Sequence, residues 1–155
     1  MRTKAIAAMG FAFLAGCAGS GSGPATVERM YVIECGENHV KDLARFTGQQ
    51  ADAGRAQVFS VNCYLIKHAQ GWMLWDTGNA DRLAAMPNGM PTPVATAYMK
   101  KPLGESLKQL GVAPGDIRHF AMSHSHGDHS GNANYFGAST LYMQQAEYDA
   151  VFGPE

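Results

Sequence analysis

A chain of 155 residues with 46% apolar and 16% charged side chains has material for one core and one domain. Its formal net charge of −1 and the lack of any basic patch exclude nucleic acid as a partner class. No apolar run reaches the roughly 20 residues that cross a bilayer as a helix.

In chain order, the first residues form a leader. Arg2 and Lys4 make a positive start, Ala5 to Ala15 an apolar segment of secretory length, and Leu14-Ala15-Gly16-Cys17 follows. Small residues before a cysteine resemble the processing site of bacterial lipoproteins, which makes 1–17 a signal peptide with Cys17 lipidated; the alternative is ordinary cleavage near Ala18. Losing two cations and no acid takes the net charge from −1 to −3. Residues 18–26 begin Ala-Gly-Ser-Gly-Ser-Gly-Pro and read as a flexible tether, leaving 27–155 as the folded domain. The expected location is the periplasm, with membrane contact only through the lipid. Ala18 after the cysteine, by the same resemblance, favours the outer membrane. In that oxidising compartment Cys35 and Cys63 either bond or sit as two buried thiols, and the thiols are the expectation.

Glu28–Glu34 is β-rich and predicts an edge strand. Residues 36–55 read as a long loop. Gln57–Lys67 is the clearest strand; a turn at Gln70-Gly71 joins it to Trp72–Trp75, whose tryptophans belong to core or rim. Asp76-Thr77-Gly78 follows at the strand end. Asp81–Met86 predicts a short helix, and Pro87–Pro93 a surface loop, because three prolines and a glycine exclude regular structure. Met86, Met90 and Met99 flank that loop and either pack within it or line an acyl-chain groove. Pro102–Leu110 predicts an amphipathic helix with Pro at its first position and Leu103, Leu107 and Leu110 on one face. A strand is expected at Ile117–Met122, a helix at about Gly127–Tyr135, a strand at Ser139–Met143 and a last helix at Gln145–Phe152.

The chemistry concentrates at Phe120–Asn132, where His124, His126, Asp128 and His129 fall within six residues. Imidazole and carboxylate donors suit zinc or a similar divalent ion. In an extended segment His124 and His126 point the same way and grip one ion. The turn at Gly127 and the start of a helix carry Asp128 and His129 to a second position nearby, so the pattern predicts a two-metal site. His39, His68 and His119 stand in no ligand spacing and read as surface or packed residues.

Asp76-Thr77-Gly78 after a strand, then Ser123-His124-Ser125-His126-Gly127-Asp128-His129-Ser130-Gly131 after a helix and a strand, resembles the metallo-β-lactamase fold superfamily. Asn62 to Ile66, Trp75 to Gly78, Tyr31 to Gly36 and Gln145 to Tyr148 are similar to its N-acyl-homoserine lactonase branch. The resemblance implies an α/β (α+β) fold, the N-terminal half of an αββα sandwich. It implies a pair of divalent cations, zinc or else iron, manganese or cobalt, with His124 and His126 on the first and Asp128 and His129 on the second. It implies hydrolysis of a small lactone or ester by a hydroxide held between the cations, with Asp128 passing a proton to the leaving oxygen. Asp76 is then no ligand but a hydrogen-bond partner of the ligand loop. Other superfamily activities, a β-lactamase or a glyoxalase II-like thioesterase, stay open. His129 disfavours the β-lactamase subclass with arginine there. A homodimer is compatible with all of these.

The resemblance also implies ligands from a second half: a third histidine, a bridging aspartate and a further histidine. His129 is the last of the six histidines, and residues 130–155 hold no cysteine and one aspartate, Asp149. The expectation is therefore an incomplete sandwich: a truncated form or fragment, a half completed by another chain, or a non-catalytic lipoprotein remnant.

Overall fold

Within Gln57–His68, buried Val61, Cys63 and Leu65 alternate with the less buried Asn62, Tyr64 and Ile66, as in a strand with one covered face. In the computed structural model, which describes residues 26–153, this segment is β2 of one seven-stranded mixed sheet. The elements are β1 (Val27–Val40), α1 (Ala44–Thr47), β2 (Gln57–His68), β3 (Gly71–Trp75), β4 (Met90–Pro91), β5 (Ala95–Tyr98), α2 (Leu103–Gln109), β6 (Ile117–Ala121), α3 (Gly127–Ser130), β7 (Thr140–Tyr142) and α4 (Gln145–Phe152). The strand order is β4-β5-β1-β2-β3-β6-β7, antiparallel except that β6 runs parallel to both β3 and β7. Residues 1–17 with Cys17, and nearly all of the tether, lie outside the described residues.

The covered face packs Ile33, Leu65, Leu74, Ile117 and Phe120 against Leu103 and Leu107 of α2 and against Phe136. Asp81 caps α2 from a distance, accepting from the Leu103 and Gly104 amides at 2.7 and 3.2 Å, which satisfies two donors a helix start leaves open. Pro102 precedes the helix as its N-cap rather than occupying the first turn. The other face is different. Register partners Val32, Tyr64, Trp75, Ala121 and Tyr142 run across it; Val32, Trp75 and Tyr142 are exposed, whereas Ala121 is buried. Trp72, three residues before Trp75 and so on the opposite side of β3, packs on the core face.

Further expectations change. β1 is not an edge: it has 14 residues and pairs with β2 on one side and β5 on the other. Its last residues, read as loop, remain in the sheet because a bulge between Glu34 and Glu37 resets the register. Cys35 and Cys63 are bonded, not free thiols: Ile33 faces Cys63, and the adjoining irregularity brings Cys35 to a Cα separation of 5.8 Å. The proline loop contains β4, which pairs Met90 with Ala97. The helix expected at Gly127–Tyr135 is one α turn and one 3₁₀ turn, Ala133–Phe136. Asn132 breaks it, because its side chain bonds backbone elsewhere.

Candidate metal centre

Strands β3 and β6 run parallel and end side by side, Trp75 opposite Ala121. The segments leaving them build the site. Asp76 extends the ladder by donating its amide to the Ala121 carbonyl at 2.8 Å. Its backbone is left-handed, φ 59°, a strained state for a side chain other than glycine. Its buried carboxylate accepts from the Ser123 amide at 2.7 Å, the Ser123 hydroxyl at 2.8 Å and His129 Nδ1 at 2.8 Å. An ionised carboxylate accepts and never donates, so His129 carries a proton on Nδ1, and the neutral ring then presents Nε2 as a lone pair.

The loop after β3 and the turn after α3 are stitched together by backbone. The Thr77 amide donates to the His129 carbonyl at 2.7 Å, and the Gly131 amide to the Gly78 carbonyl at 2.9 Å. Buried Asn132 donates to the carbonyls of Thr77 and Asn79 at 2.8 and 2.9 Å and accepts from the Asp81 amide at 2.8 Å. A Cβ at Gly131 would lie 2.4 Å from the Ala80 nitrogen, so only glycine permits this approach.

The structure brings His124, Asp128 and His129 together, with one ligand atom from each all within 4.8 Å of one another. The His124 and His129 rings are 4.1 Å apart. His126 stands outside that group: it is exposed, with its ring 4.6 Å from His124 and steeply inclined to it. The sequence-based pairing of His124 with His126 is thus looser here than the contact of His124 with the second pair. The chemistry of the donors fits a divalent cation: two imidazoles and a carboxylate, with one imidazole held in the ligating tautomer. His39, His68 and His119 lie elsewhere, bonded to Glu37, the Gln70 amide and the Tyr142 hydroxyl.

Several residues at the site stand in no ligand spacing, and their contacts are set by the fold. Glu147 of α4 accepts from the amide and hydroxyl of Ser125 at 2.9 and 2.7 Å, so the residue between His124 and His126 is anchored. Those two bonds hold the Glu147 carboxyl below the usual range. Ser123 joins Asp76, His124 and His129 through one hydroxyl. Asn38 of β1 donates to Asp128 at 3.0 Å. Beside Asp128 and His126 opens a cavity of about 830 Å³ with apolar walls from Val40, Phe46, Phe59, Leu83 and Met90. Of the three methionines flanking the proline loop, Met90 lines it, whereas Met99 is buried and Met86 exposed.

Residues 56–141 match the Metallo-beta-lactamase superfamily, and the chain belongs to it. Among characterised relatives, it is 31% identical over 134 residues to N-acyl homoserine lactonase AttM of Rhizobium johnstonii, covering 82% of this chain and 49% of the relative. It is 26% identical over 132 residues to N-acyl homoserine lactonase of Bacillus cereus, covering 81% and 52%. A solved N-acyl homoserine lactone hydrolase with the product N-hexanoyl-L-homoserine at its catalytic metal center superposes with a TM-score of 0.68 at 25% identity, covering 84% of this chain and 54% of that one. The dizinc lactonase AidC shares the fold at a TM-score of 0.56 and 19% identity, covering 84% and 48%. The chain spans about half the length of the curated relatives it matches.

Proposed function

We propose that this chain carries the metal-binding half of a hydrolase that opens N-acyl homoserine lactones. The observation that carries the reading is the His124, Asp128 and His129 group, with His129 held by buried Asp76 and Asp128 at the wall of a cavity with apolar residues. His124 and His126 would hold one divalent cation and Asp128 and His129 a second, zinc by donor type. Such cations supply a Lewis acid for the carbonyl and lower the pKa of water. Asp76 keeps His129 Nε2 free. Asp128 takes the proton of the attacking water and returns it to the ring oxygen as the C–O bond breaks, leaving an N-acyl homoserine. The cavity beside Asp128 has the apolar walls and the volume to take the acyl chain.

Two protein ligands per ion are fewer than the three usual at catalytic zinc. The 155-residue chain is therefore expected to hold metal weakly and to turn over slowly. Metal content is measured alongside hydrolysis of an acyl-homoserine lactone, nitrocefin and an acyl-glutathione thioester. Two firmly held ions with fast turnover would refute the weak-site expectation. Metal-dependent hydrolysis of only nitrocefin or the thioester would refute the lactone reading.

We also propose export and lipidation at Cys17. The leader sequence and the Cys35–Cys63 disulfide, a bond suited to an oxidising compartment, support it. Palmitate labelling in a bacterial host should be lost in Cys17→Ser; labelling that persists would sink it.

A further inference from the structure

We propose that Asn38 is a positioning residue that aims the Asp128 carboxylate, part of a hydrogen-bonded line running from the β5 backbone to the candidate metal centre. The inference rests on Asp128 acting as a ligand. Asn38 lies on β1 beyond the bulge, between Phe59 of β2 and Ala97 of β5, half-buried at the cavity wall. Its Nδ2 donates to Asp128 Oδ2 at 3.0 Å, across 90 residues of sequence. Its Oδ1 accepts from Asn79 Nδ2 at 3.2 Å. The two contacts admit one amide orientation. Turned over, Asn38 would set its oxygen against the carboxylate and its NH₂ against the NH₂ of Asn79, losing both bonds.

Asn79 is itself clamped. It is 3% exposed, and its Nδ2 also donates to the Tyr98 carbonyl at 3.0 Å. Gly36 passes directly over it: a Cβ there would meet Asn79 Nδ2 at 2.6 Å. The line Tyr98–Asn79–Asn38–Asp128 therefore starts on rigid sheet backbone and ends on a carboxylate. That carboxylate needs such help, because α3 is a single turn of four residues and does not by itself set a side-chain rotamer. Oδ2 accepts from Asn38 with one lone pair and lies 3.6 Å from His129 Nε2, so fixing the carboxylate fixes its place beside the neighbouring donor atom.

The test is cobalt(II) titration of the full chain, followed by absorption of the bound ion, in a double-mutant cycle. Asn38→Ala and the polar-free near-isostere Asn38→Leu should each weaken cobalt binding about tenfold and alter the visible spectrum. In an Asp128→Ala background, where His124 and His126 still take up cobalt, the same changes should leave affinity within twofold. Circular dichroism of the metal-free chains checks folding, and the leucine variant keeps the packing if alanine does not fold. Equal losses in both backgrounds would show a general structural role and overturn the inference. So would unchanged affinity in the Asn38 variants of a chain that binds cobalt, without touching the ligand assignment. No cobalt uptake by the unmodified chain would overturn both.

Discussion

His129 and His126 stand three residues apart, yet their surroundings differ in kind. His129 is half-buried, its Nδ1 tied to a buried carboxylate and its carbonyl to the Thr77 amide and hydroxyl. His126 is exposed, and among the described residues no side chain hydrogen-bonds its ring. What fixes it is indirect: Glu147 holds Ser125, and Ser130 donates to the His126 carbonyl at 3.0 Å. One side of the candidate metal centre is thus preorganised through its side chains, the other only through its backbone. A ligand whose ring and tautomer are already set pays less entropy on binding than one that must be ordered.

Asp76→Asn should have the largest effect and collapse the contrast. The substitution keeps shape and tolerates the left-handed backbone, but its NH₂ cannot accept from His129 Nδ1. A loss of about 1–3 kcal/mol in thermal or denaturant unfolding is expected for the buried partners left unpaired. A 10–100-fold loss of metal affinity should accompany it as His129 is freed to change tautomer. Unchanged affinity would mean that His129 is not held as a ligand through Asp76.

Glu147→Gln tests the backbone side. The Glu147 carboxyl titrates below its ordinary value because Ser125 donates to it twice. The unfolded chain then binds more protons than the folded one in that window, so stability rises with pH there. The contribution is full above the ordinary glutamate value of about 4.3 and disappears as pH falls through the lowered folded value. Melting curves between neutral pH and pH 3 should lose part of their acid slope in Glu147→Gln; an identical slope would exclude the role. The smallest effect is expected from His126→Ala, with the melting temperature of the metal-free chain within about two degrees of the parent, since exposed substitutions of this kind stay within about 0.5 kcal/mol. Metal content should fall by the more weakly held ion alone, and loss of all metal would show that His126 anchors the cluster.

Most of the strands and α2 were legible because each carries its own period and its own stops. Leu103 and Leu107 predict a helix face that the structure buries. β1 was misjudged at its end because Gly36 and the polar residues after it look like loop; pairing on both sides, from β2 and β5, overrides that local preference. β4 holds two residues, too few for any periodicity. The break in the helix after His129 was hidden for another reason. Asn132 is an ordinary helix residue until Thr77 and Asn79 arrive from more than 50 residues away.

The sequence by itself determined the donors and the family. His124, His126, Asp128 and His129 are neighbours along the chain, and the turn at Gly127 brings His124, Asp128 and His129 together, so local geometry carries much of the information. Only the tertiary structure decided how they are held. The partners that orient them, Asp76, Glu147 and Asn38, lie 53, 22 and 90 residues from what they bind. The Cys35–Cys63 bond likewise depends on the register of two strands. A hydrogen bond or a disulfide requires a distance and a direction, and across such separations both are set by how the sheet is assembled.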